Sequence, residues 1–276
     1  MRIHKTLWLV GVLCAVLGGP RANGQEGQQT RWEQYNKAGR EAYEQGNYTK
    51  AEEHLSAALK EAENFGLSDP RLATSLNNLA ELYRMVGRYE EAEPLHRRAL
   101  SIRLVLFGEN HLIVALSLDN LALLYDAEHK YDEAEPLHLR ALVMRVAALG
   151  PNSPVVATSL NNLAAMYFSE GRYTKAEPLY WRALRITEQA QGAEHPALAR
   201  TLNNLALLYQ AQKKYEVAEA LYLRSLGILE KTLGPGHPSV AASLENYASL
   251  LRRMKRAADA VEAEARARAI HELHGQ

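Results

Sequence analysis

Ser159-Leu160-Asn161-Asn162-Leu163-Ala164-Ala165-Met166-Tyr167 decides how the chain is read, because it recurs. Earlier copies are Ser75-Leu76-Asn77-Asn78-Leu79-Ala80-Glu81-Leu82-Tyr83 and Ser117-Leu118-Asp119-Asn120-Leu121-Ala122-Leu123-Leu124-Tyr125. A later copy runs from Thr201 through Asn203-Asn204 to Tyr209, and a weaker one from Ser243 to Leu251. The central alanines, Ala80, Ala122, Ala164, Ala206 and Ala248, stand 42 residues apart. A fixed period between ~20 and 50 residues marks a stacked array in which each unit touches only its neighbours. The repeated part of this 276-residue chain is therefore expected to form one elongated array rather than one or two globular domains.

Within a unit the apolar spacing is helical. Leu76, Leu79, Ala80 and Tyr83 fall at i, i+3, i+4 and i+7, and Ala92, Leu95, His96, Ala99 and Leu100 form a second stripe after Gly87-Arg88-Tyr89. Each unit thus reads as two amphipathic helices joined by a tight turn at Gly46, Gly87 and Gly171, with His129 and Lys213 in the same place later on. Asp69-Pro70, Ser153-Pro154, His195-Pro196 and His237-Pro238 open the first helices, where a capping side chain and a proline are both favoured. Gly108, Gly150, Gly192 and Gly234 close the second helices. Pro94, Pro136 and Pro178 are expected in the first turn of second helices, where an amide N–H has no partner to lose. The units lie near 32–72, 73–114, 115–156, 157–198, 199–240 and 241–256 onward. Residues 257–276 are expected to cap the open end, because Leu251 replaces the tyrosine and the last segment turns polar.

Residues 1–24 stand apart. Arg2 and Lys5 precede the apolar run Leu7–Leu17, and Ala22-Asn23-Gly24 offers small residues before Gln25, the three parts of a secretory signal peptide. The alternative is a retained N-terminal anchor, although the run is shorter than the ~20 residues of an ordinary span. A polar lead, 25–31, follows. The whole chain carries 32 basic and 32 acidic residues. Cleavage would remove three basic residues and no acid, leaving a charge of −3, which is no footprint for nucleic acid. Cys14 is the only cysteine, so the mature chain has no disulfide, zinc-thiolate site or thiol nucleophile.

Ala80…Tyr83…Gly87-Arg88-Tyr89…Ala92…Ala99-Leu100 resembles the tetratricopeptide repeat, whose usual unit is ~34 residues. The longer period, Leu-Asn-Asn-Leu-Ala, Glu-Ala-Glu-Pro-Leu and Leu-Gly-x-x-His-Pro look like the repeats of kinesin light chains and of many bacterial proteins. The resemblance implies an all-α, right-handed superhelical α-solenoid of about six helix-turn-helix pairs over residues 32–256. It departs from the light chains in lacking an N-terminal heptad segment and in carrying a leader, so an exported scaffold is expected rather than part of a cytoplasmic motor. It also implies a concave groove lined by first helices. Asn78, Asn120, Asn162, Asn204 and Asn246 match the groove asparagine, whose amide can donate to and accept from an extended peptide backbone; Lys37 takes that place in the first unit. The other reading is that these asparagines tie one repeat to the next. Asn77, Glu81, Arg84, Asp119, Asp126, Asn161, Phe168, Arg200, Asn203, Gln210, Arg252 and Arg253 would set selectivity. Arg200, Arg252 and Arg253 make the C-terminal end basic, either for a ligand carboxylate or as a solvated end.

The expected function is a non-enzymatic protein-binding scaffold, periplasmic or secreted, with a peptide or protein partner and neither cofactor nor metal. Self-assembly through the array ends, or service as an accessory subunit of an enzyme, are the alternatives. His111, His195 and His237 recur with the repeat, too far apart to share a metal at bonds of ~2 Å; His96 and His138 hold the position of Tyr180 and Tyr222 and read as packing residues. Asn47-Tyr48-Thr49 matches a glycosylation sequon inside a repeat turn and reads as chance. No catalytic constellation rises above the repeat.

Overall fold

The structure, a computed structural model, describes residues 30–274; the leader lies outside them, as does the polar lead up to residue 29. Among the described residues twelve α-helices follow one another without a strand. They pair as α1 (Arg31–Glu44) with α2 (Tyr48–Glu63), α3 (Pro70–Met85) with α4 (Tyr89–Phe107), and α5 (Leu112–Ala127) with α6 (Tyr131–Leu149). Next come α7 (Pro154–Ser169) with α8 (Tyr173–Gln191), α9 (Pro196–Ala211) with α10 (Tyr215–Leu233), and α11 (Pro238–Arg253) with α12 (Ala257–Leu273). The segment expected to close the open end, α12, is the second helix of the sixth pair.

The helix starts follow from their caps. Asp69 Oδ1 accepts from the Arg71 N–H at 2.8 Å and Ser153 Oγ from that of Val155 at 3.3 Å. The recurrent histidines do the same work: Nδ1 of His111, His195 and His237 accepts from the N–H two residues on, at 3.2, 3.2 and 3.1 Å. The sequon residue Asn47 caps α2 by accepting from the Lys50 N–H. At the tight turns Gly46, Gly87 and Gly171 have φ of 72°, 82° and 83°, and His129, Lys213 and Lys255 are held in the same left-handed region at 61°, 62° and 62°, where a side chain is disfavoured. Pro94, Pro136 and Pro178 are the sixth residues of their helices, not first-turn residues. Each therefore lacks the N–H that would donate to the carbonyl of Glu90, Asp132 or Thr174, exposed residues where solvent can replace it.

Alanines at the crossing points, among them Ala80, Ala92, Ala122, Ala164 and Ala206, are fully buried and let the helices approach closely. A second repeated device ties the units together. Tyr83, Tyr125, Tyr167 and Tyr209 donate from their hydroxyls to Glu52, Glu93, Glu135 and Glu177 of the preceding second helix, at 2.9, 2.8, 2.5 and 2.8 Å. The last unit, with leucine at 251, keeps this bond by another route: Tyr247, one helical turn earlier, donates to Glu219 at 2.8 Å. Burial first, and then the carboxylate, pushes the Tyr125, Tyr167 and Tyr247 hydroxyls up to about 12, so they remain donors.

Every second helix packs on the first helix of its own pair and, up to α10, on that of the next; the first helices from α3 to α11 also touch one another. Helices that meet their equivalents in neighbouring units lie on the inside of the curve, so the first helices form the inner face and the second helices the outer one.

Candidate ligand groove

On α7 the partly or fully exposed residues include Val155, Thr158, Asn162, Ala165 and Ser169, one stripe at i, i+3, i+7, i+10 and i+14. The same stripe is Ile113, Leu116, Asn120, Leu123 and Ala127 on α5, and Ala197, Arg200, Asn204, Leu207 and Ala211 on α9. Asparagine runs down its centre. Around it the stripe on α5, α7 and α9 is mostly aliphatic and, apart from Arg200, uncharged. Charge gathers at the N-terminal end, where Lys37, Arg40, Glu44, Arg71 and Glu81 occupy the stripe.

The five groove asparagines are not alike. Asn78 Nδ2 donates to Asn36 Oδ1 at 2.9 Å, and Asn120 Nδ2 donates to Asn77 Oδ1 at 2.7 Å. Each bond joins a first helix to the one before it. The ladder then stops. Asn162 would need Asp119 as its acceptor, but the Asp119 oxygens are held by His138 Nδ1, at 3.1 Å, and by the Arg145 guanidinium. Asn161 turns forward instead and donates to Thr201 Oγ1 at 2.8 Å. Its Oδ1, and that of Asn203, are buried without a hydrogen-bond partner. Among the described residues Asn162, Asn204 and Asn246 make no side-chain hydrogen bond.

The residues expected to set selectivity divide differently. Asp119, Asn161 and Gln210 are buried, and Asn77 and Asn203 are partly so. Gln210 accepts from the Tyr222 hydroxyl at 3.2 Å and donates to Ser249 Oγ at 3.3 Å. Arg84 is clamped by both oxygens of Glu81, at 2.9 and 2.6 Å, and Phe168 lies against Tyr173 with centroids 5.7 Å apart. Asp126 accepts from His138 Nε2 at 3.0 Å. Arg200 is sunk beside Tyr180, and burial pulls its guanidinium below the ordinary value. Arg252 is held by Glu264 at 2.8 and 2.7 Å, whereas Arg253 is exposed.

Sequence reasoning missed the charged cluster beneath the groove. His138, fully buried, bridges Asp119 and Asp126, and Arg145 bonds Asp119 and Ser159 Oγ. Burial alone would push His138 down; the two carboxylates outweigh it and hold the imidazole at about 9, so it is a cation. His96, its equivalent one unit earlier, has neither ring nitrogen hydrogen-bonded. Burial, then the charges of Arg84 and Arg103, pushes it down to about 3. The signal was present in Asp119, the one aspartate among the Leu-Asn-Asn copies, and in Arg103 and Arg145, which share a register at a buried position.

The tetratricopeptide repeat family matches in five overlapping windows, residues 35–104, 71–145, 113–189, 155–231 and 199–272. No curated protein sequence is significantly similar. Among solved structures the chain is similar to BtubC (BKLC) from P. vanneervenii, with a TM-score of 0.67 and 24% identity over 83% of this chain and 92% of that one. A putative kinesin light chain from P. anserina, with nearly identical TPR-like repeats, aligns with a TM-score of 0.60 and 27% identity over 74% of this chain and 96% of that one. A Rap protein complexed with Competence and Sporulation Factor aligns with a TM-score of 0.62 and 17% identity over 88% of this chain and 75% of that one. With its helix pairs, its period and these matches, the chain belongs to the tetratricopeptide repeat family, with repeats of the kinesin light chain-like type.

Proposed function

We propose that the chain is a non-enzymatic scaffold that binds an extended segment of a partner protein along its inner face, with α7, α9 and α11 as the gripping part. The observation that carries this reading is the row Asn162, Asn204 and Asn246, one per unit, whose amides are uncommitted within the chain. Each offers a donor and an acceptor to a peptide backbone. The aliphatic residues around them, Val155, Ala165, Ala197 and Leu207, favour a ligand with apolar side chains, and the exposed Arg253 favours a carboxylate at the α11 end. The Rap protein of this fold was solved with Competence and Sporulation Factor; at that identity the likeness is one of fold. We also propose that the scaffold acts outside the cytoplasm. The three-part leader supports this, and mass spectrometry of the exported chain should find Gln25 at its N-terminus; a chain that keeps its leader and stays in the cytoplasm contradicts it.

A photocrosslinking residue at Leu207 tests the groove in the native compartment. The expected result is one partner captured by the otherwise native chain and lost when Asn162, Asn204 and Asn246 are changed to alanine. Capture of the same partner in the same yield by the triple variant would remove the asparagines from the reading.

A further inference from the structure

The outer face carries a row of its own. Leu139 on α6, Trp181 on α8 and Leu223 on α10 share one register and are 40, 42 and 49% exposed, and Val143, one turn from Leu139, is 66% exposed. Isolated exposed leucines need no explanation; large side chains at the same position of three successive units form a connected surface. Trp181 is held in place, since its Nε1 donates to the Tyr209 hydroxyl at 3.0 Å and that hydroxyl donates to Glu177. An ordered tryptophan loses little freedom on being covered, and tryptophan is the side chain most enriched at the energetic centres of interfaces.

Charge beside the row gives the partner's sign. Position 98 and its equivalents are all arginine: Arg98, Arg140, Arg182, Arg224 and Arg266. Four of them reach back to a glutamate of the preceding unit, Glu63, Glu109, Glu188 and Glu230. Arg182 is the exception. Val146 stands where Arg224 and Arg266 find their acid, and among the described residues no carboxylate pairs with Arg182, nor with Arg185 one turn further along α8. Two uncompensated guanidinium groups thus flank Trp181.

The backbone decides the partner's conformation. Beside the row the backbone hydrogen bonds of α6, α8 and α10 lie within the helices, the Asp132 and Thr174 carbonyls freed by Pro136 and Pro178 lying in the opening turns, so the row offers a ligand side chains only. An extended segment laid over the apolar row would bury unpaired backbone N–H and C=O groups. A helix satisfies its own backbone and presents apolar anchors at i, i+3, i+4 and i+7. We infer that the outer face of α6, α8 and α10 is a second docking surface, for an amphipathic helix of a partner protein that places an apolar face on Leu139, Trp181 and Leu223 and carboxylates on Arg182 and Arg185.

The test keeps this surface apart from the groove. A phage library of helical peptides, randomised on one face, is selected on the chain carrying the Asn162→Ala, Asn204→Ala, Asn246→Ala changes. The expected result is peptides enriched in Asp or Glu beside Leu, Phe or Trp. They should bind the unaltered chain within two-fold of the selection target, weaken as salt rises, and lose at least ten-fold in affinity with Arg182→Glu/Arg185→Glu and, separately, with Leu223→Glu. All are surface changes, and circular dichroism should match the parent chain. Selected peptides without acidic enrichment, or affinities unmoved in both variants, overturn the inference. So does a dimer of the chain in sedimentation that Leu223→Glu dissociates, since the row would then belong to a second copy.

Discussion

His96 and His138 occupy one position of successive units and hold opposite protonation states. His138 keeps its proton because Asp119 and Asp126 face it from both sides. A folded value of about 9 against ~6.5 for a free histidine means that its contribution is complete below ~6.5 and lost as pH rises through about 9, roughly 3 kcal/mol in all. His96, held at about 3, has the reverse sign: it costs nothing above ~6.5, and stability falls as pH drops from there towards 3, where the unfolded chain takes a proton and the folded one does not. Urea denaturation across pH should therefore show a stability maximum near ~6.5, where the two limbs meet. His96→Phe should flatten the acid limb and, by removing two unpaired buried nitrogens, stabilise the protein by about 1 kcal/mol at neutral pH; an acid limb of unchanged slope would refute this. His138→Phe should cost about 3 kcal/mol or more, because it strands Asp126 and leaves Asp119 with Arg145 alone. Sequence placed both histidines in the packing and was right about burial. Their charge was not legible, because Asp119, Asp126, Arg84 and Arg103 lie on other turns and helices and meet the rings only in the fold.

At the scale of the element the same sentence of sequence is used in two ways. Asn120 spends its amide on Asn77, and Asn204 spends its amide on no neighbour. Asn120→Ala should therefore lower stability by about 1 kcal/mol and Asn204→Ala should leave it within about 0.5 kcal/mol. Thermal unfolding of both variants checks this, and equal losses would mean that Asn204 is structural too. The turns give a second comparison. Lys213 sits at φ 62° where three of the four earlier units use glycine, so Lys213→Gly should stabilise the α9–α10 turn by about 1 kcal/mol. Gly192→Ala should destabilise, because φ 91° with ψ 162° belongs to a region that is essentially glycine's alone. Pairing, turn placement and period were all readable, being encoded by neighbours in sequence. Tyr247 was not: a comparison at fixed period sees Leu251 and a lost tyrosine. The helix sees a hydroxyl displaced by four residues on the same face, ~6 Å along the axis, close enough for Glu219.

Over the whole molecule the core is a chain of local contacts, so order is expected to be lost unit by unit. One continuous buried cluster runs from Ala80 and Ala92 to Ile270, whereas the first pair rests on two smaller ones, around Trp32 and around Leu55. Hydrogen exchange should accordingly be fastest in α1 and α2 and slowest from α5 to α10; uniform protection would mean that the array unfolds as one body. The solenoid was legible from period alone, because nearest-neighbour stacking makes the repeat the fold. Which asparagines are tied within the chain was not legible, since the same Leu-Asn-Asn motif supplies both the tied and the uncommitted amides. The most direct test of the groove is calorimetric titration of an extended peptide, selected from a random library on residues 25–276, against two variants. Asn162→Ala/Asn204→Ala/Asn246→Ala should weaken binding at least ten-fold while the fold stays intact. Asn78→Ala/Asn120→Ala should lower stability and leave affinity nearly unchanged. Equal affinity for the unaltered chain and the triple variant would contradict the account and return the asparagines to a purely structural role.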